Sequence, residues 1–104
     1  MVKSHEELKA FLEQARSRSS LVEVLVHKHE RLLDVIFGRV ASASLYGVEL
    51  NVRGSAGLTR YFDFCGADIH RYRREKPFEQ GWKVQSRSGV TLVFFELPQQ
   101  QIAA

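Results

Sequence analysis

The stretch RLLDVIFGRVASASLYGVELNVRGSAGLTRYFDFCGADI, Arg31 to Ile69, decides how this chain folds. Two breaks, Tyr46-Gly47 and Gly54-Ser-Ala-Gly57, divide it into apolar-rich runs over 33–45, 48–53 and 58–64. In the middle run Val48, Leu50 and Val52 alternate with Glu49, Asn51 and Arg53, the period of a strand with one face in water. Strands joined by connections this short form an antiparallel meander. Gly38 interrupts the first run and predicts a bulge or sharp bend, and the small residues Ala41 to Ser44 let that strand curl against a neighbour.

On the N-terminal side, Leu21 to His29 reads as a further strand. Val22, Val24 and Val26 share one face, while Leu21 and Leu25 lie on the other with Glu23 and His27, so both faces need a cover near its start. A helix supplies one. Ser4 and Glu7 stand at capping-box spacing, and Leu8, Phe11, Leu12 and Ala15 recur at helical spacing. Glu6 and Glu7 then fall in the first turn and Arg16 and Arg18 in the last, matching the helix dipole and predicting a helix over 4–18.

On the C-terminal side, Cys65 to Ile69 makes a tight corner, and the basic run His70-Arg-Tyr-Arg-Arg74 follows. Pro77 and Gly81 enclose a loop, after which 82–86 and 90–97 form a hairpin across Arg87-Ser-Gly89. Pro98 ends the last strand. The expected fold is α+β: an N-terminal amphipathic helix followed by a strongly bent antiparallel β-meander or small β-barrel of five to six strands. Residues 1–98 form a single domain and 99–104 a loose tail. An open antiparallel roll, with the helix across a curved sheet, is the competing arrangement.

Composition narrows the class. The chain has 104 residues, 44% of them apolar, with seven Phe, three Tyr and one Trp, enough for one core without metal or disulfide support. Cys65 is the single cysteine, which excludes an internal disulfide and agrees with a reducing compartment. No apolar run approaches the roughly twenty residues of a membrane-crossing helix, and the N-terminus has no apolar signal region. The expectation is a cytoplasmic protein with no membrane partner. A net charge of +3 is compatible with nucleic acid and equally with ordinary solubility.

Gly38-x-Val40, Val48-x-Leu50-x-Val52 and Phe64-Cys-Gly-Ala-Asp-Ile69, set in a bent meander behind one helix, resemble an Sm-like or SH3-type small β-barrel. That resemblance implies a barrel shape and association through strand edges. Sm-like proteins bind RNA through a loop Asp and Asn after the second strand and an Arg-Gly pair after the fourth. Here the loop is Ser44-Leu-Tyr-Gly47 and Cys65-Gly66 replaces Arg-Gly, so the RNA site is not carried over.

The densest charge lies in Arg71, Tyr72, Arg73 and Arg74, to which Arg53, Arg60, Lys83 and Arg87 can add, with Tyr61 or Trp82 as a stacking surface for an unpaired base. If the run is extended, His70, Tyr72 and Arg74 share one face and Arg71 and Arg73 the other, so the charge is split. The same residues also serve as a solvated edge that discourages strand pairing. A second candidate is a pocket where the helix closes over the sheet, with His27, Tyr61, His70 and Trp82 converging. His27 and His29 on one strand face can hold Zn or Ni, but no Cys, Asp or Glu is spaced to complete the set, so no metal and no cofactor is expected.

Cys65, Asp68 and His70 lack any oxyanion donor or phosphate cradle. Cys65 is expected as a buried residue beside a turn and Asp68 as a turn acceptor, with no catalytic residue. Phe94 and Phe95 face opposite ways in a strand, so one meets the helix or a second chain, which favours a symmetric homo-oligomer. The sequence therefore points to a non-enzymatic small binding module, homo-oligomeric, engaging nucleic acid through the basic-aromatic strand and loops. The alternatives are a small-molecule pocket or minor enzyme between helix and sheet, or a module for a specific protein partner such as an immunity protein.

Overall fold

The computed structural model describes residues 2–54, 57–74 and 79–97. Helix α1 (Val2–Ser17) precedes strands β1 (Leu21–Lys28), β2 (Arg31–Ser44), β3 (Gly47–Val52), β4 (Thr59–Asp63), β5 (Asp68–Arg74), β6 (Glu79–Gln85) and β7 (Val90–Glu96). The strands form one sheet in the order β4-β3-β2-β1-β7-β6-β5, every described neighbour antiparallel. The sheet is open, with β4 and β5 as its edges. Among the described residues no helix is long and apolar enough to cross a membrane.

The connection between the two edges forces the sheet to curl. Only residues 64–67 separate β4 from β5, and the five steps from Asp63 to Asp68 span at most about 17 Å of extended chain. Laid flat, seven strands would hold their edges about 29 Å apart. The curl brings Phe94 of β7 against Phe62 of β4 and Phe64 beyond it, edge to face, with ring centroids 6.1 and 5.6 Å apart. Val22, Val24, Ile36, Val40, Leu50, Trp82 and Val84 join them in one concave core.

Helix α1 lies over this core, packing chiefly on β2, with Leu8, Leu12 and Ala15 completely buried. Their spacing is the stripe read from the sequence. At its N-terminal end His5 Nε2 donates to the Phe64 carbonyl at 3.2 Å, tying α1 to the β4–β5 connection. At its other end Ser19 takes φ 52°, while Ser20 N–H bonds to Ala15 O at 2.9 Å and Ser19 N–H to Arg16 O at 3.0 Å. That is a Schellman ending with serine in the place usually held by glycine. Ser20 Oγ then donates to Glu96 at 2.6 Å and Arg18 pairs with the same carboxylate at 3.0 Å, fastening the helix exit to the end of β7.

Several expectations are corrected. The helix starts at Val2, so Ser4 lies inside it and no acidic residue occupies its first turn. Seven strands replace the five to six expected, because 68–74 is a strand whose side chains are mostly exposed or half-buried and only Ile69 is core. The barrel is not closed. Gly81 is not a loop residue but lies within β6 opposite Phe95.

A Cβ on Gly81 would collide with the Phe94 carbonyl and come within 2.8 Å of the Phe95 ring, so close approach of β7 requires glycine there. The bulge of β2 falls at Ala41, between the Val40 and Ser42 partners, rather than at Gly38. It shifts the inward face from Ile36 and Val40 to Ala43. Gly38 instead admits the Asn51 carbonyl, which a Cβ would meet at 2.7 Å.

His29 and Glu30 form the β1–β2 turn with φ 50° and 68°, so His29 does not share a strand face with His27. Cys65 is exposed, not buried. Pro77, Pro98 and the tail 99–104 lie outside the described residues.

Substituting Gly81 with alanine should lower stability by about 1–3 kcal/mol, because the colliding atom belongs to backbone that must shift. Urea unfolding followed by Trp82 fluorescence measures this, with an unchanged midpoint contradicting it.

Candidate functional site

Pairing decides where each basic side chain goes. Arg71 stands opposite Trp82, which stands opposite the core residue Phe94, so Arg71 and, two residues on, Arg73 belong to the concave side. Tyr72 stands opposite Gly81 and, through it, Phe95, on the convex side with Arg74. The run is thus divided by strand parity as its sequence predicts.

On the convex side the aromatic and basic groups are engaged with one another. Phe95 is fully buried although it faces away from the core. Tyr72 meets it edge-on at 6.0 Å, and the Arg74 guanidinium lies 4.0 Å from its centroid. Arg74 also donates to Glu23 at 2.8 Å, and Lys83 sits 5.8 Å from the Tyr72 ring. These groups cover an apolar ring that an open sheet face would otherwise present to water.

On the concave side the helix does not fill the whole width of the sheet. A cleft of about 600 Å³ remains between α1 and the β5–β6 edge. Glu7, Ala10, Phe11 and Gln14 line it from the helix, and Arg71, Arg73, Gln80 and Trp82 line it from the sheet. Trp82 is buried and forms its floor. The Arg71 guanidinium lies 5.1 Å from the Trp82 centroid and reaches Glu7 at 3.9 Å. With the Arg71 side chain 71% exposed, that ion pair contributes at most about 1 kcal/mol. Among the described residues, apolar walls, two arginines, a carboxylate and two amides thus share one concavity, the mixture by which clefts orient small polar-ended ligands.

The other candidates are dispersed. Arg60 lies on β4, 3.6 Å from Asp34 and 5.3 Å from the Phe62 centroid. Arg53 and Arg87 occupy the turns after β3 and β6. His70, opposite Lys83, and His27, opposite Thr91, are on the convex side. Tyr61 is exposed on β4, its hydroxyl donating to the Tyr46 carbonyl at 3.3 Å. Of the four residues expected to converge on a pocket, only Trp82 lines this cleft, joined by Arg71 and Arg73. Among the described residues no group of three or more His, Cys, Asp or Glu is placed to hold a metal.

A pocket beneath the helix was expected, but the helix residues that line it, Glu7, Ala10, Phe11 and Gln14, were not named. Phe11 reads as part of the apolar stripe, but it is only half-buried, beside the fully covered Leu8 and Leu12. A stripe residue at the margin of a helix face signals an incompletely filled seam.

The two arginines should behave differently on truncation. Arg74→Ala removes a hydrogen-bonded ion pair and uncovers Phe95, costing about 2 kcal/mol, whereas Arg71→Ala costs under about 1 kcal/mol. Equal losses in paired denaturation curves would contradict this division. No protein-family model, no curated protein and no solved structure matches this chain.

Proposed function

We propose that the chain is a small-molecule binding module whose ligand lies in the cleft between α1 and the β5–β6 edge. The observation that carries this reading is the cleft itself: about 600 Å³, floored by the buried Trp82 and lined by Arg71 and Arg73. That volume falls within the range of ligand sites, and its few charged groups stand against apolar walls. Of the residues a nucleic-acid role would draw on, Tyr72, Arg74 and Lys83 are engaged around Phe95 on the convex side, Arg71 and Arg73 line the cleft, and Arg53, Arg60 and Arg87 lie on other elements.

Ala10 is exposed on the helix wall of the cleft, so a larger side chain there fills the site from outside the core. In a fragment screen by ligand-observed NMR, Ala10→Phe should weaken cleft ligands at least about tenfold while leaving the melting temperature unchanged. Hits that bind both forms equally would place the ligand elsewhere.

Association of two copies through the convex face is a second reading, favoured by the irregularity in β2. Leu33 has no partner between the Val26–Asp34 and His27–Leu32 pairs, and Leu32, Leu33 and Val35 are 52%, 59% and 38% exposed. An exposed apolar patch at the hairpin end of the inner strand β2 is the kind of surface that a symmetric partner covers. Light scattering should then give a dimer mass that Leu33→Lys converts to a monomer mass; a monomer at high micromolar concentration excludes this reading.

A further inference from the structure

We propose that two copies of this chain join edge to edge through β4, which pairs with itself antiparallel about a twofold axis at Tyr61 and continues the sheet from one copy into the other. The surface involved is neither the cleft nor the Leu33 patch, so it stands or falls separately from both.

Two bonds at the ends of the strand fix where its backbone groups point. Val52 N–H donates to Leu58 O at 3.1 Å, and Phe64 N–H donates to Tyr46 O at 2.8 Å. Residues 58 and 64 therefore turn their bonding groups towards β3. Bonding direction alternates along an antiparallel strand, so Arg60 and Phe62 also bond with β3, while the N–H and C=O of Thr59, Tyr61 and Asp63 point outward. β4 is a sheet edge, and among the described residues no backbone bond leaves that margin. Thr59, Arg60, Tyr61 and Asp63 are exposed and only Phe62 is buried. The margin is thus a template for one further strand.

The side chains select a second copy of β4 as that strand. With Tyr61 opposite Tyr61 of the second copy, Thr59 stands opposite Asp63, and every outward group of both strands enters a hydrogen-bonded pair. On the convex side this places an aromatic pair beside pairs of a hydroxyl with a carboxylate. On the concave side Arg60 faces Phe62, so no like charges stand opposite one another. Neighbouring registers are worse. An axis at Asp63 sets two carboxylates against each other, and an axis at Thr59 brings Tyr61 against Gly57, whose φ of 73° lies outside strand geometry. The other edge of the sheet contrasts with this one: laid against itself about its middle residue, β5 sets Arg71 opposite Arg71. A strand of five residues makes a short seam, and the dissociation constant should be about 0.1 mM.

Sedimentation and amide exchange of the full chain, from about 20 µM to about 1 mM, test this. The mass should rise to twice that of the monomer and stop there. Thr59, Tyr61 and Asp63 amides should gain protection with concentration, whereas Arg60 and Phe62 amides are protected throughout. Tyr61→Lys sets two ammonium groups opposite each other and should weaken association at least about tenfold. Tyr61→Pro should do the same, because it removes an outward N–H and leaves the ladder with β3 intact. Should the proline variant fail to fold, Tyr61→Lys decides, since that side chain is 58% exposed. Leu33→Lys should change nothing in this seam.

A monomer at about 1 mM overturns the proposal. So does a dimer that Tyr61→Lys leaves whole, and if Leu33→Lys dissolves that dimer the copies meet through the convex patch instead. Masses that keep growing beyond the dimer mean that β4 meets a different edge, which overturns the twofold register.

Discussion

Phe94 is the point on which the curvature of this protein depends. Two meanders, β1–β4 and β5–β7, lie side by side through the single β1–β7 ladder. That ladder alone would permit a gently twisted sheet. The edge-to-face contacts of Phe94 with Phe62 and Phe64 bind the far arm of one meander to the other across the concave side. Each such pair adds about 0.5–1.5 kcal/mol beyond the area it buries. Because residues 64–67 are too few to reach around a flat sheet, connectivity and packing demand the same bend.

The bend explains why there is a cleft at all. A helix with its side chains is about 10–12 Å across, narrower than the trough of a curled sheet of seven strands. Its buried stripe settles on β2, close to where the chain leaves α1, and the Ser20–Glu96 and Arg18–Glu96 contacts hold that end in place. The opposite side of the trough, beside β5 and β6, is left with the helix margin as its wall. Phe11 and Trp82 furnish that gap with aromatic surface, and strand parity delivers Arg71 and Arg73 into it. The site is therefore a by-product of where the apolar stripe ends.

Much of this was readable beforehand, and what was missed has physical causes. The helix stripe, the alternation of β3 and the two-faced strand 90–96 declare themselves because burial there follows the period of the backbone. β5 hides because its concave positions near the cleft carry arginines, and a strand facing a solvent-filled gap has no apolar alternation to betray it. The start of β6 hides behind Gly81, whose role is to admit the Phe95 ring and which in sequence resembles a turn residue. Ser4 resembles a cap because its hydroxyl and Glu7 have the right spacing, yet the helix begins two residues earlier. The division of Arg71 and Arg73 from Tyr72 and Arg74 follows from parity alone. The partnership of that strand with Glu7, Ala10, Phe11 and Gln14 does not, since it depends on how far across the trough the helix lies.

The placement of β7 bears on how such a chain matures. It is the last strand in sequence, yet it stands between β1 and β6 and brings the central aromatic ring with it. While the ribosome is still extending the polypeptide short of Val90, β1 has a neighbour on one side only and the two meanders cannot join. The nascent molecule therefore exposes a bare hydrogen-bonding margin and an unfilled hollow until its final strand emerges. Assembly of the sheet in this respect waits on β7, and quality-control factors have their opportunity to act on the open margin until that strand arrives.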